Sequence, residues 1–138
     1  MQTLTPNLAV NSIVETIEYY QRNFGFELQM LVDDSKTEFD TQIDKKKSYI
    51  WAMMQCGAVS LMFQDKESLK DDVGSFFEDI ASSLSLYIMV DDVDSFYEST
   101  KEKVEIYKDI ETTWYGQREF YVKDINGYIL GFASLNKE

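Results

Sequence analysis

Two features of the composition limit the side chains that could do chemistry in this sequence. There is no histidine among the 138 residues, and histidine is the commonest transition-metal ligand and the commonest general base near neutral pH. Ser-His-Asp triads, Cys-His pairs and histidine-based metal sites are therefore excluded. Cys56 is the single cysteine, so one chain can form neither a disulfide framework nor a thiolate zinc site. Because it ends an apolar stretch, we expect Cys56 to be a small core residue rather than a nucleophile.

The remaining candidates are aromatic and acidic side chains. Flat surfaces on which a planar or cationic ligand could stack are supplied by Trp51, Trp114, Tyr115 and Tyr121. A packed loop anchor is the alternative role for Trp114 and its neighbour. Glu119 could be a cavity carboxylate that faces a cationic ligand, or it could form a surface ion pair with Arg118. We favour the ion pair, and keep Glu119 among the candidate binding residues.

The charge balance narrows the classes of partner. Thirteen basic and 25 acidic residues give a formal charge of −12, which is the wrong sign for binding nucleic acid or an anionic membrane surface. The longest apolar runs are too short to span a membrane, and the first residues contain no basic n-region. We therefore expect an unprocessed protein of the reducing cytoplasm, with no nucleic-acid or membrane partner.

A strand, a helix and three further strands are predicted in the first part of the chain. Ser12-Ile13-Val14-Glu15 forms a capping box at the start of the helix, and Gly25 ends it. Apolar residues recur at helical spacing at Ile13, Ile17, Tyr20 and Phe24. The strands are predicted at residues 4–10, 26–32, 48–56 and 59–64.

The same order of elements returns eighty residues later, which is a strong fold signal. The matching positions are Val10, Ile13 and Ile17 in the first copy and Val90, Val93 and Tyr97 in the second. Asp91-Asp92 takes the place of the first capping residues. The second copy is predicted as a strand at 84–90, a helix at 93–103 and strands at 104–110, 119–123 and 128–135.

These patterns predict an α+β fold in a single domain, residues 1–138. The first βαβββ module covers 1–65, the second covers 83–138, and an acidic linker at 66–82 contains a short helix around Phe76-Phe77. Each helix is expected to pack on the convex side of a curved sheet, with a core at Ile13, Ile17, Phe24, Val93 and Phe96. The charged clusters Asp33-Asp34, Asp44-Lys45-Lys46-Lys47 and Asp71-Asp72 are interpreted as solvated loops.

Three stretches carry a family resemblance. FGFEL follows the first helix, VDDVDSFY opens the second module, and REFYVKDINGYILGF lies near the end. In this order, on a duplicated βαβββ unit, they resemble the vicinal oxygen chelate superfamily, which includes glyoxalase I, the extradiol dioxygenases and the bleomycin-resistance proteins. The stretch TTWYGQREFYVKDINGY is most similar to the bleomycin-resistance proteins, although Ile125 stands where their pattern has proline. The resemblance covers nearly the whole chain apart from the linker, and implies a curved mixed sheet around a cavity.

The resemblance also implies where a metal ion would be held in the metal-dependent members. It places the four ligand positions near Thr5, Met62, Ser85 and Gly131. None of these is a usual ligand, and an open divalent site needs about three suitable protein donors. We therefore expect no metal and no other cofactor. Gln64 and Glu119 could supply oxygen donors instead, but two scattered donors would bind a divalent ion weakly.

The side chains that face the cavity follow from the period of two along each strand, counted from these positions. Gly131 is expected to enlarge the pocket because it has no side chain. Met62 and Met89 could instead fill a core, whereas buried serine, asparagine or glutamine needs a partner. With the aromatic residues and Glu119 added, the predicted ligand-binding residues are Asn7, Trp51, Ser60, Met62, Gln64, Ser85, Tyr87, Met89, Trp114, Glu119, Tyr121 and Gly131. No residue is assigned a catalytic or metal-binding role.

The resemblance to the bleomycin-resistance proteins favours a metal-free protein that sequesters a small molecule, cationic or neutral with a planar part, such as an antibiotic. It also implies a homodimer, with clefts between module one of one chain and module two of its partner. Two alternatives remain open. One is an enzyme related to glyoxalase-like lyases and isomerases or to dioxygenases, either with its metal held by unorthodox donors or with Glu119 or Tyr121 as an acid or base without a metal. The other is a non-catalytic interaction module whose cavity is filled by its own side chains.

Overall fold

A computed structural model describes residues 2–75, 77–80 and 84–136, which form parts of two compact units, residues 1–80 and 81–138. The first unit contains β1 (Asn7–Val10), α1 (Ile13–Phe24), β2 (Glu27–Asp33), β3 (Phe39–Asp40), β4 (Tyr49–Cys56), β5 (Val59–Asp65) and α2 (Lys66–Val73). The second contains β6 (Ser85–Met89), α3 (Val93–Thr100), β7 (Glu105–Thr112), β8 (Gln117–Lys123) and β9 (Ile129–Leu135). The predicted α+β class is confirmed.

Each unit has its own mixed sheet, and the two sheets share a topology. The strand orders are β1-β5-β4-β2-β3 and β6-β9-β8-β7. In both, the first strand pairs in parallel with the last long strand, and the other pairs are antiparallel. The internal repeat predicted from the sequence therefore corresponds to a repeated strand order in the structure.

The helices begin where the capping residues predict. The Ser12 hydroxyl accepts a hydrogen bond from the Glu15 N–H at 3.2 Å, and eighty residues later a carboxylate oxygen of Asp92 accepts one from the Ser95 N–H at 3.2 Å. These bonds satisfy N–H groups that a helix start leaves without an intrahelical partner. Helix α3 ends at Thr100, three residues before the predicted end.

One face of each sheet packs against its helix. Ile13, Ile17 and Phe24 of α1 are buried, as is Val93 of α3. Phe96 is half-buried, and its ring centroid lies 4.7 Å from that of Phe132 on β9. Burying a large apolar side chain contributes about 1.5–3 kcal/mol, so these positions anchor each helix and leave the opposite sheet face available.

The interpretation of residues 33–34 and 44–47 as solvated loops is wrong for two residues. The Lys47 Nζ lies 2.9 Å from an Asp40 carboxylate oxygen, 3.4 Å from one of Glu38 and 3.8 Å from one of Asp33. Asp33 is buried and accepts hydrogen bonds from the backbone and side chain of Ser35. Lys47 therefore ties together a loop and the two-residue strand β3, which is too short to be predicted from sequence periodicity.

A helix lies earlier in the predicted linker than the sequence suggested. The Asp65 carboxylate accepts hydrogen bonds from the N–H groups of Glu67 and Ser68 at 3.1 and 3.3 Å, and α2 follows directly after β5. Phe77 lies in no helix, and Phe76 lies outside the described residues. None of the helices in the described ranges is long and apolar enough to cross a membrane.

Candidate functional site

The face of the five-stranded sheet opposite α1 brings the predicted residues of the first unit together. Asn7 is paired with Met62 across β1 and β5, and Trp51 is paired with Gln64 across β4 and β5. Ser60 lies two residues before Met62, so it shares this face. Asn7, Trp51, Ser60 and Met62 are half-buried, whereas residues on the other face are packed under the helix.

Gln64 is buried and hydrogen-bonded by its own unit. Its Oε1 accepts from the Asn7 side-chain amide at 2.9 Å, and its Nε2 donates to the Ser68 hydroxyl at 3.0 Å and to an Asp72 carboxylate oxygen at 2.8 Å. The interpretation of Asp72 as a solvated loop charge is thus wrong. Among the described residues, the buried Oδ1 of Asn7 has no hydrogen-bond partner. Asn7 is therefore the amide of this pair that still offers an acceptor.

The open face of the four-stranded sheet contains the predicted residues of the second unit. Tyr87 on β6 and Tyr121 on β8 both pair with Gly131 on the strand between them. Ser85 and Met89 flank Tyr87 at the period of two, and both are exposed. A row of aromatic rings thus crosses this sheet at the level of Gly131.

Glu119 is the centre of a cluster with two tyrosines. One carboxylate oxygen accepts a hydrogen bond from the Tyr87 hydroxyl, and the other accepts one from the Tyr115 hydroxyl at 2.5 Å. The side chain of Glu119 is only 2% exposed. The predicted Arg118–Glu119 ion pair is wrong, because Arg118 instead binds Asp94 at 3.0 Å. Successive residues of a strand point to opposite faces, which separates Arg118 from Glu119.

The charge of Glu119 affects the tyrosines around it. Its hydrogen bond, followed by burial, raises the pKa of Tyr115 to about 12. Burial, followed by the hydrogen bond to Glu119, raises the pKa of Tyr87. The pKa of Tyr121 is also raised, first by burial and then by the negative charge of Glu119. All three hydroxyls therefore keep their protons at neutral pH.

The expectation that Gly131 enlarges the pocket is wrong. A β carbon at this position would lie 2.7 Å from Cε1 of Tyr121 and 3.1 Å from Cδ1 of Tyr87. The missing side chain is therefore replaced by two aromatic rings rather than by open space. Gly131 allows the tyrosines to approach the backbone of β9.

Trp114 projects from the turn between β7 and β8. Its side chain is 94% exposed, and its ring makes an edge-to-face contact with Tyr115, with centroids 5.2 Å apart. An exposed ring is not a packed loop anchor, so that alternative is wrong for Trp114. Tyr115 is 48% exposed and links this ring to Glu119.

The residues at the family's metal positions do not fit a divalent ion. Threonine, methionine, serine and glycine at positions 5, 62, 85 and 131 provide no carboxylate or imidazole. Rings of Tyr87 and Tyr121 occupy the space where a ligand side chain at position 131 would begin. Across residues 2–75, 77–80 and 84–136, no three His, Cys, Asp or Glu side chains are grouped to hold a metal.

A separate cavity lies beside Cys56 in the first unit. It has a volume of about 440 Å³ and is lined by Gly25, Glu27, Gln29, Gln55, Cys56 and Gly57. Cys56 is exposed, so its prediction as a core residue is wrong. It is the last residue of β4, at the hairpin with β5, where the apolar strand pattern no longer implies burial.

Three solved structures illustrate the similarity of the fold. A protein of unknown function from Agrobacterium tumefaciens str. C58 is 21% identical, with a TM-score of 0.71, and the match covers 98% of this chain and 95% of that one. A glyoxalase/bleomycin resistance protein/dioxygenase from Nocardioides is 14% identical, with a TM-score of 0.72 and coverage of 99% and 85%. TioX from Micromonospora sp. ML1 is 17% identical, with a TM-score of 0.63 and coverage of 96% and 94%. At these identities the likeness concerns the fold.

The sequence itself identifies the family. No curated protein is significantly similar to the chain. The family model described as Glyoxalase/Bleomycin resistance protein/Dioxygenase superfamily, however, matches residues 3–132. This range includes most of both βαβββ modules and every predicted ligand-binding residue. The protein belongs to the glyoxalase/bleomycin resistance protein/dioxygenase superfamily.

Proposed function

We propose that this protein is a metal-free binding protein that sequesters a small cationic or planar compound, such as an antibiotic. The observation that carries the proposal is the buried carboxylate of Glu119 beneath the partly exposed rings of Tyr87 and Tyr115. A negative charge behind aromatic surfaces attracts cations and flat rings. The exposed indole of Trp114 extends this surface beyond the sheet.

The face of the five-stranded sheet supports the same proposal. Trp51 and Met62 offer half-buried apolar surface, and the half-buried Asn7 places an amide on the same face. Ligand sites combine largely apolar walls with a few oriented polar groups. The net charge of −12 raises the local concentration of cations and lowers that of anions.

Binding has more support than catalysis in these residues. An acid–base role for Tyr121 would need a hydroxyl that ionises near neutral pH, whereas its pKa is raised. Both oxygens of Glu119 already accept hydrogen bonds from tyrosines. In the described ranges, neither Tyr121 nor Glu119 lies in a group of three His, Cys, Asp or Glu side chains that could hold a metal ion. Sequestration requires only affinity, so it does not need a tyrosine that ionises near neutral pH.

A thermal-shift screen on chelator-treated protein tests the proposal. The panel would contain cationic, neutral and anionic planar compounds, including antibiotics, each at several concentrations. A ligand that binds only the folded state stabilises it by about 2.7 kcal/mol at a concentration of 100 Kd, so cationic or neutral planar compounds should raise the Tm. The proposal fails if no compound raises the Tm, or if the shifts appear only after a divalent metal is added.

A further inference from the structure

The Glu119 cluster is arranged so that a ligand meets the tyrosines rather than the carboxylate. Glu119 is 2% exposed, whereas Tyr87 is 46% and Tyr115 is 48% exposed. Each tyrosine donates its hydroxyl hydrogen to a different oxygen of the same carboxylate. Glu119 therefore acts on a ligand through the two tyrosines, and is a positioning residue.

The direction of these hydrogen bonds determines what the tyrosines can offer. A tyrosine hydroxyl has one hydrogen to donate and oxygen lone pairs that accept. Because Glu119 takes the hydrogen of both Tyr87 and Tyr115, their outward-facing capacity consists of acceptors only. A ligand carboxylate or carbonyl placed against Tyr87 and Tyr115 would receive no hydrogen from either of these hydroxyls and would leave acceptors unpaired, which is costly where water is excluded.

The charge at the centre of the cluster favours the same class of ligand. In the described part of the chain, no lysine or arginine nitrogen lies within 4.0 Å of the Glu119 carboxylate. Lys108 is influenced by the charge of Glu119, but its Nζ pairs with Glu111 at 2.9 Å. The rings of Tyr87 and Tyr121, with centroids 6.5 Å apart, add electron-rich faces beside the acceptors.

We infer that Tyr87 and Tyr115, oriented by Glu119, recognise a cationic nitrogen group that carries several N–H donors: an amidinium, a guanidinium or a primary ammonium. This inference rests on the proposed function and specifies the ligand class. The charged hydrogen bonds would run from the ligand to the two phenolic oxygens, and Gly131 allows the ring of Tyr87, which carries one of them, to lie close to β9.

Three probes of one size and shape isolate the recognised group: benzamidinium, benzamide and benzoate. Isothermal titration calorimetry with the full chain should show benzamidinium binding most tightly and benzoate least tightly. In Glu119→Gln, the amide nitrogen donates to one tyrosine oxygen and turns that hydroxyl hydrogen toward the ligand. The affinity for benzamidinium should then fall about tenfold or more, and the preference over benzamide and benzoate should shrink.

Glu105→Gln is the matched control. It removes the same unit of charge from an exposed residue of the neighbouring strand β7, but it leaves the tyrosine hydrogen bonds and the Lys108–Glu111 ion pair intact. It should change benzamidinium affinity far less than Glu119→Gln. Tyr115→Phe removes one acceptor without altering any charge, and should weaken benzamidinium binding even if Glu119→Gln does not fold.

Several outcomes overturn the inference and leave the proposed function standing. One is equal loss of affinity in Glu119→Gln and Glu105→Gln, which would indicate general electrostatic attraction. Others are unchanged binding in Tyr115→Phe, tighter binding of benzoate or benzamide than of benzamidinium, and no benzamidinium binding at millimolar concentration while compounds from the screening panel do bind. Failure of the whole panel, in contrast, overturns the proposed function.

Discussion

The ring of Tyr121 fills the space that a side chain at Gly131 would occupy, because a β carbon there would lie 2.7 Å from its Cε1. Gly131 pairs with Tyr121 across β8 and β9, and with Tyr87 across β6 and β9. The family's metal-dependent members are expected to carry a ligand at this position. In this chain the same position instead supports an aromatic cluster around Glu119.

Gly131→Ala should lower the free energy of unfolding. Replacing glycine by alanine at an unstrained position would stabilise the protein by about 0.4–1 kcal/mol, whereas overpacking typically costs about 1–3 kcal/mol. We expect the steric cost to exceed the gain, as measured by urea unfolding. In a cycle with Tyr121→Ala, which removes the ring, the added methyl should cost much less. A Gly131→Ala variant as stable as the wild type would contradict the close packing.

Lys47→Met should reduce the stability that depends on Asp33 and Asp40. A hydrogen bond donated by Lys47 is the main cause of the lowered pKa of Asp40, and hydrogen bonds from Ser35 lower that of Asp33. Carboxyls with a lowered pKa in the folded state stabilise it above their unfolded value, near 3.8, and lose this contribution as the pH falls. Melting temperatures measured from neutral pH downward should therefore fall less steeply in the variant.

Lys46→Met is the control for this comparison, because Lys46 is the exposed neighbour of Lys47. It changes the net charge by the same amount, but its ammonium makes none of the ion pairs that hold β3. Equal pH profiles for the two variants would show that net charge, and not the cluster of Lys47, is responsible.

The tyrosines around Glu119 should ionise late in an alkaline titration. Hydrogen bonding and burial raise the pKa of Tyr115 to about 12 from its usual value of 10.0, and the pKa of Tyr87 is raised as well. A raised folded pKa contributes stability below pH 10 that is lost as the pH rises toward the folded value. Phenolate absorbance should show a late phase that moves toward pH 10 in Glu119→Gln. An unchanged titration in that variant would exclude the carboxylate as the cause.

Trp114→Ala should weaken ligand binding without unfolding the protein. The indole is 94% exposed, and substitutions at such positions usually change stability by less than about 0.5 kcal/mol. If the indole stacks on a cationic or planar ligand, its removal should reduce the binding free energy by on the order of 1 kcal/mol or more. Tyr107→Ala, which removes an exposed aromatic ring from β7, is the control. Equal affinity in wild type and Trp114→Ala would remove Trp114 from the site.

Local patterns predict the fold better than they predict the site. The spacing of Ile13, Ile17 and Phe24 and the caps at Ser12 and Asp92 depend on neighbours along the chain, so the sequence reveals them directly. The cap at Asp65 could also have been found, because Asp is a favoured N-cap residue and Glu67 places an acidic side chain in the first turn of α2.

The site depends on contacts between residues far apart in sequence. Tyr87 on β6 and Glu119 on β8 are separated by 32 positions in the sequence, and their side chains meet across the intervening strand β9. Strand alternation places both on one face but cannot indicate which groups form hydrogen bonds. The same limit explains the wrong Arg118–Glu119 pair, since adjacent residues on a strand point apart, and the missed links from Lys47 to Asp33 and Asp40.

The most direct test of metal-free binding is a titration of chelator-treated protein, of verified metal content, with the cationic planar compound that gives the largest thermal shift. Tryptophan emission should change on binding, and addition of Mg²⁺, Mn²⁺ or Zn²⁺ should leave the Kd unchanged. The Kd should increase with salt, because the screening length is about 10 Å at 0.1 M ionic strength. Binding that appears only with an added metal, or that is tighter for an anionic analogue of the same shape, would contradict the proposed function.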